Sequence, residues 1–490
     1  MSNQDPAVIS ISKLTLFKGF YILASLFFTL SYVFDNTSGI SKTVFMAIYY
    51  PLMILLFAGS IYFLAKDYRT NEHNFTTNRF FPVLVAFFAY CIISTFVNGN
   101  AFVFYNNWMF PVHSALFLFL CMISEGSEEQ DLHSWNQVGY LFIFLIDFLV
   151  LGSLATYILR RSFLYDSLSF DMQAFLNVSA GPGRRLYGIV GNANSLAYSI
   201  LYCIFLVPPL MFFSRNKADK GFLISTVVLS VYCAILAGAR GALLIGIVCA
   251  LALACFVFQQ IKKDDTKRRQ FFLILGIFVF VCILILLFFF LSQSSVAVKS
   301  REYFFHRILR LGNIKTGDDR LDLWRISTQM LTPRNIWFGI SDTRLYQHFL
   351  SIGSDLAYYL VNNEGRLHNY YLIVLVTFGL PAFIMFVALI GATFRSWFLQ
   401  RKDFSKQQEI FLALLMIQFF AIVLSGFLEQ LMLNTGTAVS LPTCFVWGTL
   451  FSFFGRTESK SLSNKGIFTT LFLMSGKTRG IHEENCFDFE

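Results

Sequence analysis

Four short segments hold the side chains best suited to chemistry. The first runs from Arg185 through Leu186, Tyr187 and Gly188 to Asn192 and Asn194. The second is Gly238-Ala239-Arg240-Gly241, and the third is Asp318-Asp319-Arg320 with Trp324 behind it. The fourth is His368-Asn369-Tyr370-Tyr371-Leu372. A guanidinium never deprotonates in a protein, and its planar fork matches phosphate oxygens two at a time. An imidazole titrates near neutral pH and can take or orient a proton. Three arginines and a histidine fit the handling of an anionic group and a proton, provided the chain brings them together.

The elements that must do so are membrane helices. Of the 490 residues 56% are hydrophobic, 14% are charged and 60 are Phe. A soluble domain carries roughly 25% charged residues, so the deficit, with apolar runs near span length, points to an integral membrane protein. Strand-type alternation is absent, so the spans are expected to be helices and not barrel strands. The expected fold is an all-α membrane protein of about twelve transmembrane helices: 14–34, 43–65, 80–98, 108–123, 137–159, 192–213, 221–237, 241–260, 271–291, 369–394, 409–428 and 437–454. The first run lacks a small-residue cleavage site and reads as a retained span. In domain terms, residues 1–291 hold nine helices, 292–368 form one large external loop, 369–454 hold three more helices, and 455–490 are a cytoplasmic tail. Eight of the nine Cys lie in apolar runs and Cys486 in the tail, which leaves no disulfide framework and no CxxC metal pattern in the loop.

Lys and Arg near span ends set the orientation. Lys66, Arg69 and Arg79, then Arg215, Lys217 and Lys220, then Lys262 to Arg269, then Arg395 to Lys406 fall on one side, with the tail. That side is the cytoplasm, so both termini are expected there. The acidic connection 124–136 is the one dissent. The segments 160–191 and 292–368 lie opposite and are basic; the second carries ten Lys or Arg. Long loops cross regardless of charge, and their excess cations suggest an anionic ligand. Pairing with the loop's own acids and with lipid headgroups is the plain alternative. On this layout all four chemical segments fall on the outer face.

Each residue has a plainer reading too. Arg240, at the hydrocarbon edge, is costly there unless paired, or it snorkels to headgroups. A lone His at an interface is often structural. Leu321, Trp324, Thr328 and Leu331 recur at helical spacing, which predicts a short amphipathic helix on the bilayer that ends before Pro333. Trp324 is then an interfacial anchor more readily than a sugar-stacking platform. Val298–Leu311 reads as a second such helix. Asp318-Asp319 resembles acidic pairs that hold Mg²⁺ or Mn²⁺, but Arg320 opposes a cation, so no metal and no cofactor are expected. Asp147 stands mid-span with no partner evident from sequence, and Gly379 with Pro381 predicts a kink in the tenth span.

The ordered set resembles the O-antigen ligase and polymerase superfamily of bacterial membrane glycosyltransferases. That family shows an Arg-Leu-x-Gly…Asn-Pro-Asn segment, a Ser-Arg-Gly turn, an Arg-x-x-x-Trp segment in a large external loop, and His-Asn-x-x-Leu opening the next helix. All four have counterparts here within residues 184–390, with Ala193 for Pro, Ala239 for Ser and Thr377 at a position that is commonly acidic. The resemblance implies transfer of a glycan from undecaprenyl diphosphate to an acceptor sugar hydroxyl, at the outer face of the bacterial inner membrane. The acceptor is lipid A-core for a ligase, or a second lipid-linked repeat unit for a polymerase. Arg240, Arg320 and Arg185 would hold the diphosphate, and His368, with Arg320, would serve catalysis. Asn192, Asn194, Trp324 and Asn369 would support the acceptor or the site. The partners are these lipid-linked glycans and the bilayer, not nucleic acid. A transporter or flippase for lipid-linked glycans is the rival from another class. It predicts internal repeats and midplane binding groups, and the halves of this chain show no repeat.

Overall fold

The structure, a computed structural model, describes residues 11–35, 42–71, 74–98, 104–160, 167, 173, 186–190, 192–261, 265, 266, 268, 269, 318–333, 335–340, 368–428 and 440–457. Among the described residues the chain is helical throughout, without strands. In chain order the helices are α1 (Lys13–Asp35), α2 (Lys42–Thr70), α3 (Phe81–Asn98), α4 (Phe104–Met122), α5 (Glu128–Leu159), α6 (Ala193–Ile204) and α7 (Val207–Phe213). They continue with α8 (Lys217–Ala237), α9 (Arg240–Ile261), α10 (Asp318–Gln329), α11 (Tyr370–Ile373), α12 (Leu380–Gln400), α13 (Lys406–Ser425) and α14 (Leu441–Thr457). A π-helical turn, Val374–Phe378, joins α11 to α12.

Eight helical stretches among these residues are long and apolar enough to cross a membrane. The apolar helices Val112–Met122 and Leu441–Gly455 are shorter. The stretch 271–291, expected as the ninth span, lies outside the described residues, as do the second loop helix and the tail beyond 457. Many apolar side chains point away from the bundle: Ile54, Ile158 and Leu251 each leave more than 60% of their surface uncovered. In water that would waste the main force of folding; against lipid tails it costs nothing. The chain is a multi-helix membrane protein.

Without a hydrophobic drive between helices in lipid, close packing and interhelical hydrogen bonds hold the bundle. α14 lies tightly on α4, where Gly448 leaves room for Cys121 and the Leu118 carbonyl. Trp447, fully buried, donates its ring N–H to Thr393 Oγ1 of α12 at 3.1 Å. Asn78 donates to the Phe451 carbonyl at 2.7 Å. Two breaks shape the rest. Pro208 and Pro209 open α7, so the expected sixth span is two helices. Gly379, at φ +93° and ψ 176°, ends the π-turn, with Pro381 in the first turn of α12. The kink expected there is thus a break followed by a fresh helix start.

Candidate active site

The Arg-Leu-Tyr-Gly segment is pinned from below. Leu186 is fully buried, and its N–H donates to the Leu236 carbonyl at the end of α8 at 3.2 Å. Gly188 takes φ +72°, and a β-carbon there would strike Ser153 of α5 and Leu196. The Ile189 N–H donates to Ser153 Oγ at 3.1 Å. Asn192 then caps α6, its Oδ1 accepting from the N–H groups of Asn194 at 2.9 Å and Ser195 at 3.1 Å. Such a cap contributes about 1 kcal/mol. Arg185 lies outside the described residues.

The second segment is a tight turn between antiparallel helices. Gly238, at φ +62°, closes α8 by donating its N–H to the carbonyls of Ala234 and Ile235 at 3.1 and 3.0 Å. Ala239 is buried, and Arg240 is exposed as the first residue of α9. Gly241 can have no side chain: the Tyr198 hydroxyl of α6 and Leu428 occupy that space. The start of α9 therefore abuts the first turns of α6 and the chain just beyond α13.

The fourth segment meets the same place. His368 is buried, at 8% exposure, and is the one non-glycine with positive φ among the described residues, at +49°. Asn369 follows in extended geometry and caps α11, accepting from the Leu372 N–H at 3.1 Å. The Tyr370 N–H donates to the Gly426 carbonyl at 2.7 Å, and the Tyr371 hydroxyl to the Val423 carbonyl at 2.8 Å. The start of α11, just after His368, is thus tied to the end of α13 at Gly426, two residues before the Leu428 that backs Gly241.

The third segment is a helix, as expected, but it lies on protein. Trp324, Ile326, Met330 and Leu331 pack against Ile340, Ile373 and Val376, so α10 rests on the flank of α11 and the π-turn. Its inward face differs from the expected one: Ser327 is fully buried, while Thr328 is exposed and donates to the Trp324 carbonyl at 3.0 Å. Trp324 is half-buried in this contact, which neither the anchor nor the sugar-platform reading foresaw. Arg320 sits in the first turn of α10, and its side chain lies outside the described residues.

Asn192, Asn194, Arg240, His368 and Asn369 are thus brought to one end of the bundle, with α10 leaning on the same helix start. Sequence reading missed Tyr198, whose only trace was the glycine after Arg240. It also missed Ser153, whose trace was Gly188. Asp147 finds its partner in Thr226 of α8, which donates to Oδ2 at 2.8 Å, six residues and about 9 Å along α5 from Ser153. Among the described residues no group of three or more His, Cys, Asp or Glu is placed to hold a metal ion.

No curated protein matches the chain. Residues 225–387, the stretch that spans Arg240, α10 and His368, match the protein-family model described as O-antigen ligase, and that match supports the likeness of the chain to the O-antigen ligase and polymerase superfamily.

Proposed function

We propose that the chain is an inverting, metal-independent glycosyltransferase that moves oligo- or polysaccharide from undecaprenyl diphosphate to an acceptor sugar hydroxyl. What supports this reading is that the start of α9, which begins with Arg240, and the start of α11, which follows His368, both abut the chain at the end of α13: Leu428 lies beside Gly241, and the Gly426 carbonyl accepts from the Tyr370 N–H. Helix starts carry partial positive charge. α6 and α9 both begin at this locus, and Arg240 adds a full cation at the first position of α9. A cation at that pole is unfavourable by about 0.3–1 kcal/mol. A bound diphosphate offsets that cost, since helix N-termini and guanidinium groups both bind phosphate oxygens.

In this mechanism the acceptor hydroxyl attacks the anomeric carbon on the face opposite the lipid diphosphate, which gives inversion. His368 takes the hydroxyl proton as the bond to carbon forms. Arg240, Arg320 and Arg185 hold the oxygens of the leaving diphosphate as the glycosidic C–O bond breaks. Fixed cations of this kind stabilise developing negative charge without a metal. Asn192 and Asn369 hold the two helix starts, and Asn194 and Trp324 support the walls. The topology we assign has about twelve spans, both termini in the cytoplasm and residues 292–368 over the outer face of the bacterial inner membrane. The motif-bearing core is 184–390.

Deleting the gene and resolving surface polysaccharide on gels tests the reading. Loss of attachment with polymer kept on the lipid carrier identifies a ligase, and single repeat units on the acceptor identify a polymerase. Unchanged surface polysaccharide sinks both.

A further inference from the structure

Residues 335–340 are let into the bundle. The Trp337 carbonyl accepts from the Tyr90 hydroxyl at 2.5 Å. The Phe338 carbonyl accepts from the Ser94 hydroxyl at 2.5 Å and from the Asn98 side-chain amide. Tyr90, Ser94 and Asn98 are spaced four apart, so they form one stripe along α3. Asn98 is the last residue of this 18-residue helix, and Tyr90 lies near its middle. At 1.5 Å per residue the stripe reaches about 12 Å inward. The Tyr90 ring stacks flat on Phe338, with centroids 5.7 Å apart and planes at 5°.

The opposite side of the segment is fixed by two main-chain bonds and by the packing of Ile340 on Ile373 and Val376. The Ile340 N–H donates to the Val376 carbonyl, and the Leu380 N–H to the Ile336 carbonyl, both at 2.8 Å. Between these bonds Gly339 and Gly379 meet back to back; a β-carbon on either would strike the other's backbone segment. Trp337 is 57% exposed, turned away from the bundle at the level of mid-α3. Asn335 ties the segment to α10: its amide donates to the Met330 carbonyl at 2.9 Å, and its Oδ1 accepts from the Thr332 N–H at 2.6 Å.

Irregular backbone at membrane depth persists only where protein groups satisfy it. Here α3 supplies side-chain donors, the π-turn supplies the Val376 carbonyl, and the first residue of α12 supplies the Leu380 N–H. We infer that residues 335–340 form a re-entrant wedge seated between α3 and the π-turn, and that Tyr90, Ser94 and Asn98 are positioning residues that hold α10 in register with the start of α11. Their role in transfer rests on the glycosyltransferase reading; the seat itself does not.

The test uses the full-length protein in membrane vesicles. Trp337→Cys is treated with a membrane-impermeant maleimide, with the parent protein for background and Thr332→Cys, an exposed position, as reference. Trp337→Cys should label at least about tenfold more slowly than Thr332→Cys. Adding Ser94→Ala and Asn98→Ala should raise its labelling about tenfold or more, the factor expected for two hydrogen bonds. In the background without added cysteine, the same pair should lower kcat for glycan transfer by a similar factor at equal membrane levels, and restoring a hydroxyl with Ser94→Thr should recover part of it. Labelling of Trp337→Cys as fast as Thr332→Cys overturns the wedge. Faster labelling with unchanged kcat overturns the positioning role. Slow labelling of Trp337→Cys together with a parent protein that transfers no glycan removes the proposed function and leaves the wedge standing.

Discussion

His368→Asn separates the two things that His368 does. Its backbone sits at φ +49°. An ordinary side chain pays about 1–2 kcal/mol in the left-handed region, whereas Asn is among the residues enriched there. His is enriched there too, so the exchange leaves the backbone at 368 about as it was. The imidazole is buried, and an amide of similar reach can fill most of its volume. The melting temperature in detergent should thus stay within about 2 °C of the parent. An amide cannot accept a proton at neutral pH, so transfer should fall about 10²–10⁴-fold. Both quantities come from one preparation: thermal unfolding on one aliquot, and transfer from lipid-linked glycan to acceptor in proteoliposomes on another. A His368→Asn protein that transfers within about threefold of the parent would refute the assignment of His368 as base. A protein that loses stability and activity together would also refute it, because the role would then be architectural.

Other perturbations bear on the remaining parts. Gly379→Ala places a β-carbon against the Trp337 carbonyl at a backbone angle that only glycine adopts readily. It should loosen the contact with the 335–340 segment by about 2–4 kcal/mol, seen as faster proteolysis there and loss of transfer; an unaffected enzyme would show that the two glycines need not touch. Arg240→Lys keeps the charge and loses the planar fork, so donor affinity should weaken about tenfold, with Arg240→Ala weaker still; equal affinity for the lysine variant would argue against phosphate recognition. Asp147→Asn still accepts the Thr226 hydroxyl and should leave the rate within about twofold. A much larger loss would give the carboxylate a role in function. Asn192→Ala should cost about 1 kcal/mol and Asn192→Ser should recover most of it, both read from unfolding.

Legibility followed the range of the interactions. The helical class and the break at Gly379 could be read from local pattern, because apolar period and glycine placement are properties of neighbouring residues. Asn192 and Asn369 were noticed as motif residues, and the structure makes them caps, a local role. What could not be read depended on packing between distant parts. Ser94 and Asn98 are two polar residues near the end of an apolar span, and only a carbonyl brought from residue 338 gives them this partner. α10 was expected to face lipid because Leu and Trp at helical spacing suit a bilayer and a protein groove equally. Its groove is made by Ile340, Ile373 and Val376, two of them beyond the loop. The partner of Asp147 likewise waits on which face of α8 turns to α5.

The back-to-back glycines bear on where the chain can tolerate change. Ile340 is bonded to Val376 of the π-turn, and His368 precedes the cap of α11, which runs into that turn. Ile340 and His368, the described residues on either side of 341–367, therefore both meet the short stretch 368–376, about 12 Å long. The two junctions are main-chain bonds and a cap, indifferent to what lies between them. The chain on either side of residues 341–367 is thus held by bonds made outside that stretch, so a change of length between 340 and 368 should leave the Gly339–Gly379 contact in place.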